Sequence, residues 1–178
     1  NSSKNHALIG YAYEVLFQLK YLRKHNSKNV YIIKAFKKRD MLTQYHNIKR
    51  VRKILVNLAL IEKRIHLGKE TLKDVLYLAN VGLIRKIKEF NIEINKEDIK
   101  DLKALKKGLK DFKDVLEKNL SFNVYVEKGN VKGEIDIIGD DFIIDIKTVK
   151  DFKITEYQIN QLLSYSLLLN KKIKKIGI

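Results

Sequence analysis

Three side chains in the last third of the chain could do joint chemistry: Asp136, Asp145 and Lys147. The triplet Asp145-Ile146-Lys147 is one of five Asp-x-Lys triplets in this lysine-rich sequence, beside those at Asp98, Asp101, Asp111 and Asp151. On a helix, residues i and i+2 lie about 200° apart and their charged ends diverge; on a strand they share a face. The triplets at 98, 101 and 111 fall on helical pattern and Asp151 at an expected turn, so only Asp145–Lys147 lies in an expected strand, between Phe142-Ile143-Ile144 and Thr148-Val149. Asp136 joins them through a hairpin about Gly139-Asp140. A two-residue loop pairs Ile138 with Asp141 and sets Asp136 opposite Ile143; a four-residue loop sets Asp136 directly opposite Asp145. In both, Asp136, Asp145 and Lys147 project from one side, whereas a three-residue loop separates them. Two neighbouring carboxylates repel unless a proton or cation lies between them. Mg²⁺ or Mn²⁺, hard ions that prefer oxygen, suit such a pair. Lys147 beside it would orient a water or offset charge developing on a phosphate. The bland alternative is two exposed strand acids with Lys147 as their salt-bridge partner. Glu134 shares the same face by alternation, as a spare ligand or a solvated acid.

The elements that must position these groups change character near residue 120. Before it, apolar residues recur at helical spacing. A first helix is expected over 6–24, with Leu8, Ile9, Ala12, Leu16, Leu19 and Leu22 on one side. Residues 29–36 read either as a short strand or as a helix entry. Helices are expected over 40–66, 69–90 and 95–118, with a break at Gly68 and Asn95 as N-cap ahead of Asp98. After 120 the period falls to two: Val124, Val126 and Val131 alternate with polar neighbours, and 131–138 and 141–147 are β-branched runs about the Gly-Asp turn. Thr155 to Asn170 reads as a helix opened by a Thr155-x-x-Gln158 capping box, and 172–178 as a strand. The chain begins without Met and stops inside that strand, so a short native tail is expected beyond it.

Composition bounds the rest. The chain has 178 residues, 45% hydrophobic and 33% charged, enough for a real core and too apolar for a disordered chain. No run of ~18 apolar residues exists to span a membrane. Residues 1–30 lack a signal-peptide apolar region, because charges recur at Lys4, Glu14, Lys20 and Arg23. Zero cysteines exclude disulfides, thiolate metal sites and a cysteine nucleophile. An intracellular, cytoplasmic chain is expected. Its 37 Lys+Arg against 21 Asp+Glu give a net charge of +16. Residues 121–178 hold nine Lys and eight acids, so the surplus belongs to residues 1–120, with 28 basic and 13 acidic side chains. Such a field points to a polyanionic partner, nucleic acid first.

At this point the residues resemble a known superfamily. Gly133-Glu134-Ile135-Asp136 followed by Asp145-Ile146-Lys147-Thr148 is similar to the core of PD-(D/E)XK nucleases, with Ile135 where the superfamily has its proline. Gln161 and Tyr165 resemble the Q-x-x-x-Y motif of the RecB-type branch, and Gly10-Tyr11-Ala12-Tyr13-Glu14 its first-helix motif, a form also found in archaeal Holliday-junction resolvases. The resemblance implies an α/β (α+β), restriction-endonuclease-like core of helix, three-stranded antiparallel meander, helix and strand. That core would comprise 1–37 and 119–178, with 38–118 a basic helical insertion. It implies a Mg²⁺- or Mn²⁺-dependent deoxyribonuclease, exonuclease or endonuclease, acting on single-stranded DNA, ends or junctions. Asp136 and Asp145 would be metal ligands, the Ile146 carbonyl a further one, and Lys147 an aid to water. Glu14 would support the metal or its waters, while Gln161 and Tyr165 would contact DNA or brace the site. A junction resolvase would act as a homodimer, since two symmetric cuts need two sites. The alternatives are a catalytically silent DNA-binding protein on the same scaffold and a helical protein-interaction module.

Overall fold

The computed structural model describes residues 6–85, 93–147, 153–169 and 171–178. The chain is a mixed α+β protein whose described residues form seven α-helices and one four-stranded mixed sheet. It divides into a helical unit ending at Asp111 and a second unit beginning at Phe112. Among the described residues, no helix is long and apolar enough to cross a membrane.

The helical unit is built on α1 (His6–Lys24), which is buried on nearly every side, with Leu8, Ala12, Val15, Phe17 and Leu19 almost wholly inaccessible. It packs on α5 (Leu72–Leu83) and α6 (Lys96–Gly108), and so belongs with the helices, whereas the sequence groups 1–37 with the sheet. Tyr11 is one reason for this packing. Its ring fills the space where a Cβ on Gly82 of α5 would stand, and its hydroxyl accepts the Lys34 N–H at 3.0 Å. Residues 29–36 take the helix-entry form: a 3-10 turn at Val30–Ile32 leads into α2 (Lys34–Lys37).

The single helix expected over 40–66 is two, α3 (Arg39–Thr43) and α4 (Lys49–His66). The Thr43 hydroxyl donates back to the Arg39 carbonyl at 2.8 Å, and Arg52 Nε donates to the His46 carbonyl. These side chains satisfy backbone carbonyls that a continuous helix would use, at the weak helix formers Tyr45, His46 and Asn47. α4 then buries Val51, Ile54, Leu58 and Ile61 on one face. The third helix starts at Leu72 rather than 69, because Thr71 and Asp74 form a capping box; residues 86–90 of the expected span lie outside the described residues. Asn95 and Asp98 cap α6 as the sequence predicts, but beyond Gly108 the chain continues only as 3-10 turns at Leu109–Phe112 and Val115–Glu117. Two helix ends are closed by lysines distant in sequence. Lys38 Nζ donates to the carbonyls of Gly82 and Ile84 at the end of α5, and Lys20 Nζ to that of Leu109 at the end of α6.

In the second unit, β1 (Ser121–Lys128), β2 (Val131–Ile138) and β3 (Phe142–Ile144) form an antiparallel meander. After α7 (Glu156–Leu168), β4 (Lys175–Gly177) adds parallel to β3, giving the sheet order β1-β2-β3-β4. Strand β4 is shorter than the expected 172–178, and Asn170 lies outside the described residues. The Thr155–Gln158 capping box opens α7 as predicted. Leu162 and Tyr165 of α7 close a core with Val126, Ile135, Ile138 and Ile143.

Candidate functional site

The β2–β3 loop decides where the acids go. Ile138 pairs with Ile143 and Ile137 with Ile144, so the loop is Gly139–Phe142 and the four-residue register holds. Gly139 donates its N–H to the Phe142 carbonyl at 2.9 Å, and the Phe142 ring lies where a Cβ on residue 139 would stand. One further step of that register sets Asp136 opposite Asp145.

The acids meet where the two strands part. The run 141–147 is strand only over Phe142–Ile144, a correction to the sequence reading, which placed Asp145-Ile146-Lys147 inside it. The cause is Asp136 itself: its Oδ2 accepts the Ile146 N–H at 2.7 Å, the donor that would otherwise extend the ladder toward β2. Asp145 still follows β4, donating its N–H to the Gly177 carbonyl at 3.0 Å. The Asp145 carboxylate is buried, and Lys147 Nζ reaches its Oδ2 at 2.5 Å from a side chain 32% exposed. Asp136, the Ile146 peptide, Asp145 and Lys147 therefore form one connected cluster at the end of β3. Glu134, two residues before Asp136, is half-buried. Thr148, Val149 and Asp151 lie outside the described residues.

Helix α7 supports β2 from the core. Gln161 Nε2 donates to the Tyr165 hydroxyl at 2.7 Å, so the two motif residues contact each other. The Tyr165 ring is buried against Gly133, three residues before Asp136, where an added Cβ would come within 2.4 Å of the hydroxyl. Of the two roles implied for Tyr165, this position fits bracing. Glu14 lies in the helical unit, on α1; it is buried and accepts a hydrogen bond from Gln18 Nε2 at 2.8 Å. Its neighbour Tyr13 has its phenol pushed up by burial and then by the Asp111 carboxylate.

Sequence reasoning missed Asn123. On β1, Phe122 pairs with Ile137 and Val124 with Ile135, so Asn123 stands abreast of Asp136. There the strand leaves the extended form, with Asn123 at φ 51°. The left-handed region is unfavourable for most side chains and tolerated by asparagine. A lone Asn between Phe122 and Val124 is the signal that could have marked it.

Among the described residues, no group of three or more His, Cys, Asp or Glu gathers that could hold a metal ion; the cluster at the end of β3 brings together two carboxylates, Asp136 and Asp145. Carboxylates as a class favour hard cations. No protein-family model matches the chain, and neither does any curated protein or solved structure.

Proposed function

We propose that the chain is a metal-dependent DNA nuclease of the PD-(D/E)XK type. The observation that carries this reading is the cluster at the end of β3, where Asp136 accepts the N–H of Ile146, the residue between Asp145 and Lys147. Asp136 and Asp145 would hold Mg²⁺ or Mn²⁺, whose chemistry is to acidify water and neutralise the scissile phosphate. Lys147 would move from Asp145 toward the attacking water or the phosphate. The Ile146 N–H fixes the Asp136 carboxylate, and Gln161 and Tyr165 hold β2 behind it. The positive surplus of residues 1–120 supports a nucleic-acid substrate, single-stranded, ended or branched. Cutting a junction symmetrically would further require a homodimer, which sedimentation would report.

The test is incubation of labelled single strands, duplex and four-way junctions with Mg²⁺ or Mn²⁺, beside Asp145→Ala and Lys147→Ala. Metal-dependent cleavage by the wild type alone supports the reading; equal cleavage by all three proteins means contamination and sinks it. Glu14→Gln in the same assay tests the first-helix acid separately. A second reading, a catalytically silent DNA-binding protein, draws on the closed Asp145–Lys147 pair. DNA binding with neither Mn²⁺ uptake in calorimetry nor cleavage of any substrate would establish it.

A further inference from the structure

Helix α6 carries its charge in an ordered way. Lys96, Lys100, Lys103 and Lys107 stand at i, i+4, i+7 and i+11, and all four are exposed. At 100° per residue they fall within about 60° of the helix circumference, in a row about 16 Å long. The acids of the same helix are elsewhere: Glu97, Asp98 and Asp101 lie about a quarter-turn or more from the centre of the row. Leu102 and Leu109 are buried, so the lysines face outward. Among the described residues, no ion pair or hydrogen bond holds any of the four ammonium groups. A helix surface built only for solubility would place Glu four residues from Lys, because opposite charges at that spacing stabilise and like charges destabilise. Of the three acids on the helix only Glu97 stands at a pairing spacing, three residues before Lys100, and no ion pair forms there among the described residues.

We infer that this row is a contact surface for the sugar–phosphate backbone of a nucleic acid. A linear polyanion offers a phosphate every 3.4 Å of axis per strand, so a straight row of unpaired cations can neutralise several at once and release their counterions. An anionic membrane suits the row less well, because a helix lying on a membrane needs an apolar face turned the same way, and the apolar residues of α6 point inward. The inference rests on the nucleic-acid part of the function proposed above and not on its catalysis.

Binding of the full chain to fluorescent single-stranded and duplex DNA, without divalent metal and from 50 to 200 mM salt, tests it. Replacing all four lysines with Gln should make the slope of log K against log salt shallower by about 3. The wild type would then lose about 100-fold more affinity than the variant across that range for duplex. The fourfold Lys→Arg variant should keep the wild-type slope, which separates lost charge from a damaged helix. Replacing four scattered exposed lysines (Lys28, Lys37, Lys69 and Lys73) with Gln should change the slope by less than about 1. No DNA affinity in the wild type overturns the inference, as does an equal loss in the scattered variant, which would assign the effect to net charge. Unchanged DNA slopes with lost binding to phosphatidylserine vesicles would assign the row to a membrane instead. A wild type that binds with the expected slope and cleaves nothing under Mg²⁺ supports the row while refuting the nuclease.

Discussion

Each unit holds a buried aspartate against a cation, and the two pairs are built differently. In the helical unit, Asp74 has three donors: the Thr71 N–H at 2.9 Å, Arg64 Nε at 2.9 Å and Arg64 Nη2 at 2.5 Å. It thereby closes the capping box of α5 and ties that helix to the end of α4. Burial raises the Asp74 pKa, but the Arg64 and Thr71 hydrogen bonds and the Arg64 charge together outweigh it, so the carboxyl lies below its ordinary range. In the second unit, the Asp145 side chain is as deeply buried and, among the described residues, is held by the single ammonium of Lys147. An arginine fork with a backbone donor fixes a carboxylate in place. A flexible lysine, one-third exposed, compensates the charge and can leave. The first arrangement serves stability; the second is what the proposed function would ask of Asp145, a group that would exchange partners.

The largest way to break this comparison is Asp145→Ala. Under the proposed function, cleavage should fall by at least about 10³-fold, the scale of losing several kcal/mol of charge stabilisation, while the urea midpoint hardly moves because Lys147 can turn to water. Loss of folding in place of loss of cleavage would make Asp145 a structural residue. Next is Gly133→Ala, whose Cβ would strike the buried Tyr165 ring; a loss of about 3 kcal/mol in a urea melt is expected, the upper end for overpacking. Asp74→Asn should cost about 2 kcal/mol, combining a helix cap with a partly exposed ion pair, and should leave cleavage per folded molecule unchanged. Its pH signature has a definite sign. Because the folded pKa is depressed, the contribution of Asp74 is complete above the ordinary carboxylate range and is lost as pH falls through the folded value. Wild type and Asp74→Asn should therefore converge in stability on acidification, and parallel melting curves from pH 7 to pH 3 would contradict this. The smallest effect is Asn123→Ala, about 1 kcal/mol for forcing alanine into the left-handed region, with Asn123→Gly nearly neutral in the same melt.

Local chemistry is legible in the sequence only in part: two capping boxes are read from it, and the third, Thr71 with Asp74, is not. Asn95 with Asp98 and Thr155 with Gln158 mark helix starts because each box is written within four consecutive residues. The break between α3 and α4 is hidden there, since the apolar period continues through it and only the Thr43 and Arg52 side chains reveal the competing bonds. At the site, Asp136, Asp145 and Lys147 can be brought together from sequence, but not the means of doing so. Gly139-Asp140 looks like a two-residue turn, and only the Phe142 ring over Gly139 explains the longer loop. The early end of β3 depends on a side chain bonding across to another strand, which no periodicity records. Membership of α1 in the helical unit follows from the fit of Tyr11 against Gly82, a contact between residues far apart in sequence.

The lysines that close helix ends have a consequence for reactivity. Lys20 and Lys38 bond to carbonyls at the ends of α6 and α5, and Lys171 Nζ bonds to the Gly139 carbonyl at 2.6 Å. A lysine nitrogen committed in this way is less open to a reagent, while Lys96, Lys100, Lys103 and Lys107 stand in water. A dilute acylating reagent, followed by mass spectrometry, should therefore modify the α6 row, with the other exposed lysines, before it reaches these three. Such fast and slow classes would count directly how much of the formal charge is available for binding and how much is tied up holding the chain together.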